Sequence, residues 1–225
     1  MKIEIFTDFA CPFCYIGKKR LAQAIEQVGI KDVEFVYKAY QLYPEESKNE
    51  TTSFSETGLS AEHIEAIIMQ AKEVGLDYEL EKVQMGNTEN AHRLAKWAKT
   101  KGRESEFIEE TFHRYFTKGL NVNEMQQLLD IVEHVGLPVE EAKAVWNNPD
   151  AFQEQLAQDR YDIQQIPVTS VPFFVFENRF GIKGVEPLEV FTKTLDQTKN
   201  YLQQQAPSLV MQGDTGASCS IDGCE

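Results

Sequence analysis

Charged and apolar residues alternate at the start of the chain, where Ile3, Ile5 and Phe6 are interleaved with Lys2 and Glu4. A period of two predicts a strand. From Tyr15 to Val28 the pattern lengthens to that of a helix. Pro12 suits the first turn of this helix, because the N–H it lacks would have no partner there anyway. Gly29 is placed to cap the far end. A second strand is predicted over Val33, Glu34, Phe35, Val36 and Tyr37, running towards Tyr40. Two strands joined by a helix of this size make a right-handed βαβ unit with parallel strands.

The pattern then changes. Leu42 to Ser60 is polar, contains Pro44 and reads as a loop. From about Ala61 to Ile163 the period is almost wholly helical, with segments at Ala61 to Val74, Asn87 to Lys101, Glu104 to Phe116, Val122 to Val135, Val139 to Trp146 and Ala151 to Tyr161. Gly75, Gly102, Gly119, Gly136 and the Asn147-Asn148-Pro149 run punctuate them. Leu94, Trp97 and Ala98 share one helical face, as do Phe107, Thr111 and Tyr115 on the next segment. Strand character returns at Val168 to Phe176, and a turn at Glu177-Asn178-Arg179 leads to Phe180-Gly181-Ile182 as a hairpin. Pro187 opens a last helix to about Gln204, which Pro207 ends, and Ser208 to Glu225 has the composition of a mobile tail.

The order is β-α-β, a helical block, then β-β-α. Neither set of strands makes a sheet large enough to be covered on its own, so both ends of the chain are expected to share one α/β sheet with the helices inserted between them.

Charge narrows the function. A formal net charge of -14 over 225 residues, with no basic stripe, argues against a nucleic-acid partner. No apolar run approaches membrane-spanning length, and the charged residues among the first six do not read as a signal peptide. The expected compartment is the cytoplasm. Structural disulfides are disfavoured there, leaving catalytic, redox-sensing or metal-binding roles for the thiols.

The chain has four cysteines: Cys11, Cys14, Cys219 and Cys224. Cys11-Pro12-Phe13-Cys14 lies where the first strand turns into the first helix, and two thiols at that spacing can close a disulfide and pass it on. At a helix start the unpaired N–H groups and the dipole favour a thiolate, which makes Cys11 the expected nucleophile. Cys14, about one turn on, is expected to be more buried and to resolve a mixed disulfide. Pro12 and Phe13 bring no charge, so any tuning of the pair acts through backbone geometry. The competing readings are a structural pair or half of a four-thiolate zinc site. His63, His113 and His134 make no metal-binding spacing with one another. Phe9, Phe13 and Tyr15 are candidates for exposed aromatics that touch substrate, whereas Trp97, Phe107, Phe112, Tyr115 and Phe116 read as helical core.

Three separated pieces carry a resemblance: Thr7-Asp8-Phe9-Ala10-Cys11-Pro12-Phe13-Cys14-Tyr15-Ile16-Gly17, Asn87 with Asn90-Ala91-His92-Arg93-Leu94, and Val171-Pro172-Phe173-Phe174-Val175. Over residues 1–204 the chain resembles the DsbA-like branch of the thioredoxin superfamily, and more narrowly its FrnE-like cytoplasmic dithiol-disulfide oxidoreductases. The resemblance implies a thioredoxin fold over 1–50 and 166–206, split by an all-helical insertion over 51–165, with a flexible tail over 207–225. It implies a cis bond between Val171 and Pro172 beside Cys11, with the Val171 backbone free to pair with an extended substrate. The tail motif Cys219-Ser220-Ile221-Asp222-Gly223-Cys224 looks like an accessory pair found in some members, either a redox relay or incidental. Asn87 and His92 either pack the insertion against the sheet or line a cleft.

The implied activity is thiol-disulfide exchange, with isomerisation as an extension, on cysteine-containing or misfolded proteins. No bound cofactor or metal is implied, since the cysteine pair is itself the redox group and a small thiol or partner protein exchanges electrons with it. A monomer or weak dimer is expected. Two alternatives stand. The similar kappa-type glutathione transferases and 2-hydroxychromene-2-carboxylate isomerases use glutathione, but typically carry serine in place of Cys11 and lack the second thiol. A chaperone-like stress protein is the other.

Overall fold

A computed structural model describes residues 1–44, 51–166 and 168–205, and the backbone of 219–220 and 223–224. The chain opens with strand β1 (Lys2–Thr7), helix α1 (Pro12–Val28) and strand β2 (Glu34–Ala39). Ile3, Ile5 and Phe6 are all buried, so β1 is covered on both faces by its end, as befits a central strand. Gly29 ends α1 at φ 74°, a left-handed position where a Cβ would be strained, and its N–H returns to the carbonyls of Ile25 and Glu26.

Between β2 and the next strand of the main sheet lie β3 (Thr51–Ser53), α2 (Ala61–Glu73), β4 (Gln84–Gly86), α3 (Glu89–Thr100), α4 (Glu104–Lys118), α5 (Met125–His134), α6 (Val139–Asn147) and α7 (Gln153–Gln165). The chain then returns through β5 (Phe173–Phe176), β6 (Phe180–Lys183) and α8 (Leu188–Gln205). The main sheet has the order β2-β1-β5-β6. β1 runs parallel to β2 and antiparallel to β5, with Ile5 opposite both Tyr37 and Phe174. β6 folds back on β5, with Ile182 opposite Phe174. The two ends of the chain thus share one sheet, and the thioredoxin-like core carries a large helical insertion. α1 and α8 pack together, and Phe174 meets Phe191 of α8 edge to face at 5.2 Å.

Three differences from the periodicity are informative. β3 and β4 pair antiparallel, Thr51 opposite Gly86, so the loop-and-helix region also holds a two-stranded ribbon. Each strand is three residues long, too short for a period of two to register, and the partner lies outside any local window. The strand expected from Val168 begins only at Phe173, because Pro172 has no N–H for a ladder and follows a cis bond from Val171. The helical faces are as expected: Leu94, Trp97, Phe107, Thr111 and Tyr115 are buried.

Gly17 sets how closely α1 can approach β5. A Cβ there would lie 3.0 Å from Phe174 and 3.1 Å from Pro172, tighter than ordinary contact. In the tail, β7 (Cys219–Ser220) and β8 (Gly223–Cys224) pair antiparallel, with Cys219 opposite Cys224. The mobility expected of the rest of the tail falls on residues outside the described ones. No helix among the described residues is long and apolar enough to cross a membrane.

Candidate active site

The reactive pair is held by the turn between β1 and α1. The Cys11 N–H donates to the Asp8 carbonyl (3.1 Å), and the Cys14 N–H donates to the Cys11 carbonyl (3.0 Å). Cys11 is the residue that caps α1, in extended conformation (φ -91°, ψ 112°), and Pro12 occupies the first turn. Both thiols are free. Cys11 is 5% exposed and Cys14 1% exposed, and only Cys11 lines a cavity. The Cys11 thiol donates to the Val171 carbonyl at 3.6 Å, across the cis bond from Pro172. Burial pushes the Cys14 thiol well above its ordinary pKa. A hydrogen bond and charge shared with Cys11 add to this, and the Thr7 side chain and Asp8 backbone oppose it. Of the two sulfurs, Cys14 is the one built to keep its proton.

The first turn is anchored from the insertion. The Tyr78 hydroxyl donates to the Pro12 carbonyl at 2.8 Å. Its ring stacks on Phe116 at 4.8 Å, and Tyr15 stacks on Phe112 at 5.4 Å. The Tyr15 hydroxyl donates to Glu109 of α4, which also pairs with Lys18 and Lys19. Burial opposes ionisation of Glu109, but the two lysines and the Tyr15 hydroxyl outweigh it and hold the carboxyl at about 2. Helix α4 is thereby fastened to the helix that carries the thiols.

Asp8 is the hub behind the site. Its carboxylate is fully buried and accepts from the Thr88 hydroxyl (2.6 Å), the Leu42 N–H (2.7 Å) and the Ala10 N–H (3.4 Å), with His92 Nε2 at 3.3 Å. These bonds tie the turn before Cys11 to the end of β2 and to the start of α3. Satisfied donors on every side are what make a buried carboxylate tolerable.

In front of the pair lies a cavity of about 470 Å³. One wall is Ala10 to Phe13; the others come from Leu42, Phe54, Leu59, Ile67 and Met85. The insertion therefore overhangs one side of the thiol site.

The structure brings Cys11, Cys14, Pro12, Phe13, Val171 and Pro172 into one place. Asn87 and His92 are elsewhere. Neither lines the cavity; both are buried, His92 against Asp8 and the Phe9 ring, Asn87 with its side-chain NH2 directed to the Pro44 carbonyl and its oxygen accepting from Glu89 N–H. Their polar atoms are spent on joining α3 to the core, which corrects the cleft reading. Phe9 and Tyr15 are also buried, at 1% and 2% exposure, so the expected aromatic rim reduces to Phe13, which is half-buried on the cavity wall. The side chains of Cys219 and Cys224 lie outside the description. Among the described residues no group of three His, Cys, Asp or Glu could hold a metal. Sequence reasoning missed Asp8, Tyr78 and the cavity walls. Asp8 had a signal, an acid set between an apolar strand and two apolar residues before a thiol; the others had none.

Comparison with known proteins follows the same lines. The DSBA-like thioredoxin domain family matches residues 2–196. A probable DsbA oxidoreductase from Streptomyces coelicolor, known from its crystal structure, is 30% identical and superposes with a TM-score of 0.81 over 100% of this chain and 98% of that one. The uncharacterized protein YwbO of Bacillus subtilis (strain 168) is 23% identical over 194 residues, which is 86% of this chain and 94% of that protein. The cytosolic disulfide reductase DsbM from Pseudomonas aeruginosa, solved with GSH, has a TM-score of 0.62 at 16% identity over 91% of this chain and 98% of that one, a likeness of fold alone.

Proposed function

The chain belongs to the DSBA-like thioredoxin domain family, and from that premise we propose that it is a protein dithiol-disulfide oxidoreductase of the FrnE-like cytoplasmic kind. The carrying observation is the asymmetry of the pair: Cys11 opens onto the cavity and touches the Val171 carbonyl, while Cys14 is closed off and holds its proton.

In the reducing direction the Cys11 thiolate attacks one sulfur of a substrate disulfide. A Cys11-substrate disulfide forms, and the second substrate sulfur leaves with the electron pair and takes up a proton. Cys14 then loses its proton and attacks Cys11 Sγ, releasing the first substrate thiol. The substrate gains two electrons and the chain is left with a Cys11–Cys14 disulfide, which a small thiol or a partner protein reduces. In the oxidising direction every step reverses, and in isomerisation Cys11 is expelled by another substrate thiol before Cys14 acts. The Val171 carbonyl is the main-chain acceptor beside the sulfur, where an extended substrate segment pairs once Cys11 has reacted.

Support for the subfamily and compartment comes from the run Thr7 to Gly17 and from the tail cysteines. Cys219 and Cys224, placed opposite each other in register, serve in this reading as a second pair that exchanges electrons with the first. A chain ended after Gln212 then turns over at a changed rate, and trapping finds a disulfide between the pairs; identical behaviour and no cross-pair species would make the tail a bystander.

The main test is reduction of insulin with dithiothreitol, beside refolding of a scrambled disulfide protein. Cys11→Ser abolishes turnover, and Cys14→Ser accumulates mixed disulfides because release is blocked. Full activity in Cys11→Ser overturns the proposal.

A further inference from the structure

The cavity in front of Cys11 has a chemistry of its own, and the inference from it rests on the thiol-exchange reading above. Its walls contain no lysine, arginine, aspartate or glutamate; apart from Cys11, its polar side chains are those of Tyr43, Thr57, His63 and Gln70. The remainder is apolar and is gathered from the α1 start, the end of β2, the turn after β3, helix α2 and β4. Two rim residues, Leu42 and Leu59, are 39% and 42% exposed, although each could be covered by an occupant of the cavity. Leu42 is fixed there by its N–H bond to Asp8, so this apolar rim is tied to the turn that presents the thiol.

Volume and charge decide what fits. About 470 Å³ lies at the lower end of the range for enclosed ligand sites, roughly 300–1,000 Å³, and is ample for a large side chain with its adjoining backbone. A carboxylate entering this space meets no cation, and a desolvated carboxylate without one is strongly disfavoured. The chain's net charge of -14 adds to that bias. Anionic thiols of the glutathione type, with two carboxylates and one ammonium, are therefore poor occupants.

We propose that this cavity is a specificity pocket that takes a large uncharged side chain, such as Leu, Ile, Met or Phe, from the residue flanking the reacting cysteine of a polypeptide. The chain accordingly acts on cysteines in apolar segments, those buried in a finished fold and open only while a polypeptide is unfolded, in preference to anionic small thiols. The occupant is argued from continuity: Cys11 is part of the cavity wall, and the Val171 carbonyl that would receive a peptide lies against its sulfur.

The test uses the reduced full-length chain and a series of symmetric peptide disulfides, each single cysteine flanked by Leu, Phe, Ala, Lys or Glu. Cys11 attacks one peptide sulfur, one peptide thiol is released, and resolution by Cys14 releases the other. The second-order rate is read by quenching and mass analysis. Dividing each rate by that of the same peptide with dithiothreitol removes the peptide's own reactivity. Oxidised glutathione and an uncharged small disulfide, bis(2-hydroxyethyl) disulfide, complete the set.

Leu and Phe peptides are expected to react about tenfold to a hundredfold faster than Ala peptides, the discrimination a buried apolar side chain supports. Glu peptides and oxidised glutathione come last. In Leu59→Lys, an exposed position where folding is not at stake, the Leu-to-Glu rate ratio collapses by about tenfold. Equal normalised rates across the series, or Glu peptides or oxidised glutathione fastest, overturn the proposal while leaving thiol exchange intact. If the small uncharged disulfide is not reduced either, the thiol-exchange reading falls and this inference with it.

Discussion

Two buried polar clusters join the insertion to the core, and they are built on opposite principles. Behind the thiols, Asp8 is surrounded by uncharged donors and His92. At the far side of the sheet, α7 and the starts of α3 and α4 meet β2 through full charges. Asp159 pairs with Lys96 at 2.6 Å and Lys38 at 3.4 Å and accepts from the Ala39 N–H at 2.8 Å; Lys38 also pairs with Asp162, and Lys96 donates to the Tyr37 carbonyl. Glu104 adds a carboxyl oxygen that is buried with no hydrogen-bond partner. The far cluster depends on mutual charge compensation and so on stability. The near cluster sets the position of a turn without placing a cation beside the sulfurs, and so bears on reactivity. Substitutions in the two should therefore separate: the far ones move unfolding, the near ones move turnover.

The sharpest break is Asp159→Ala. It strands Lys96, whose side chain is 8% exposed, and leaves Lys38 short of one partner, so unfolding in denaturant is expected to lose about 3–5 kcal/mol. Turnover per folded molecule stays at the parent value. A large fall in turnover at unchanged stability would erase the distinction between the clusters.

Glu104 gives the far cluster a pH signature. Burial raises its carboxyl to about 7, against the pull of Lys96 and Lys99. The folded state binds a proton more readily than the unfolded chain, whose value is 4.5. Its stability contribution is therefore complete below about 4.5 and is lost as pH rises through 7, on the order of 3 kcal/mol at most. Glu104→Gln is expected to flatten stability against pH over that window and to be the more stable protein at pH 8. Parallel curves for the two proteins would show that Glu104 does not titrate in this way.

On the near side, Gly17→Ala puts a methyl 3.0 Å from Phe174 and 3.1 Å from Pro172. Overpacking of this kind costs about 2 kcal/mol. The displaced partner is the segment that meets Cys11, so insulin reduction should fall by more than the loss of folded protein explains. Tyr78→Phe is the mildest change. It leaves the buried Pro12 carbonyl without its donor, for about 1 kcal/mol. Its expected mark is a shifted Cys11–Cys14 reduction potential, read by equilibration with a thiol buffer; an unchanged potential would reduce Tyr78 to packing.

Much of this molecule is legible in its residues. The strand from Lys2, the helix opening at Pro12 and the capping Gly29 follow from period, ring geometry and the left-handed preference of glycine. The thiol pair follows from the Cys11 and Cys14 spacing at a strand-to-helix junction, and Pro172 marks itself by standing before an apolar strand. These are local features, in which neighbours along the chain are neighbours in space. The ribbon of Thr51–Ser53 and Gln84–Gly86 was missed because its pairing is non-local and its strands are short.

Sequence alone determined that two thiols would sit at a helix start, and that the chain's two ends would share a sheet. It did so because periodicity, capping and the need to cover apolar strands act over a few residues or a whole layer. Only the tertiary structure decided what surrounds those thiols. The donors to Asp8 come from 34, 80 and 84 residues along the chain, and the cavity is bounded by residues from Ala10 to Met85. A cavity is the gap that packed elements leave, and its size and lack of charge belong to their arrangement, which no local period encodes. The same holds for Asn87 and His92, whose polar side chains suit either a cleft or a joint until the docking of α3 buries them against the core.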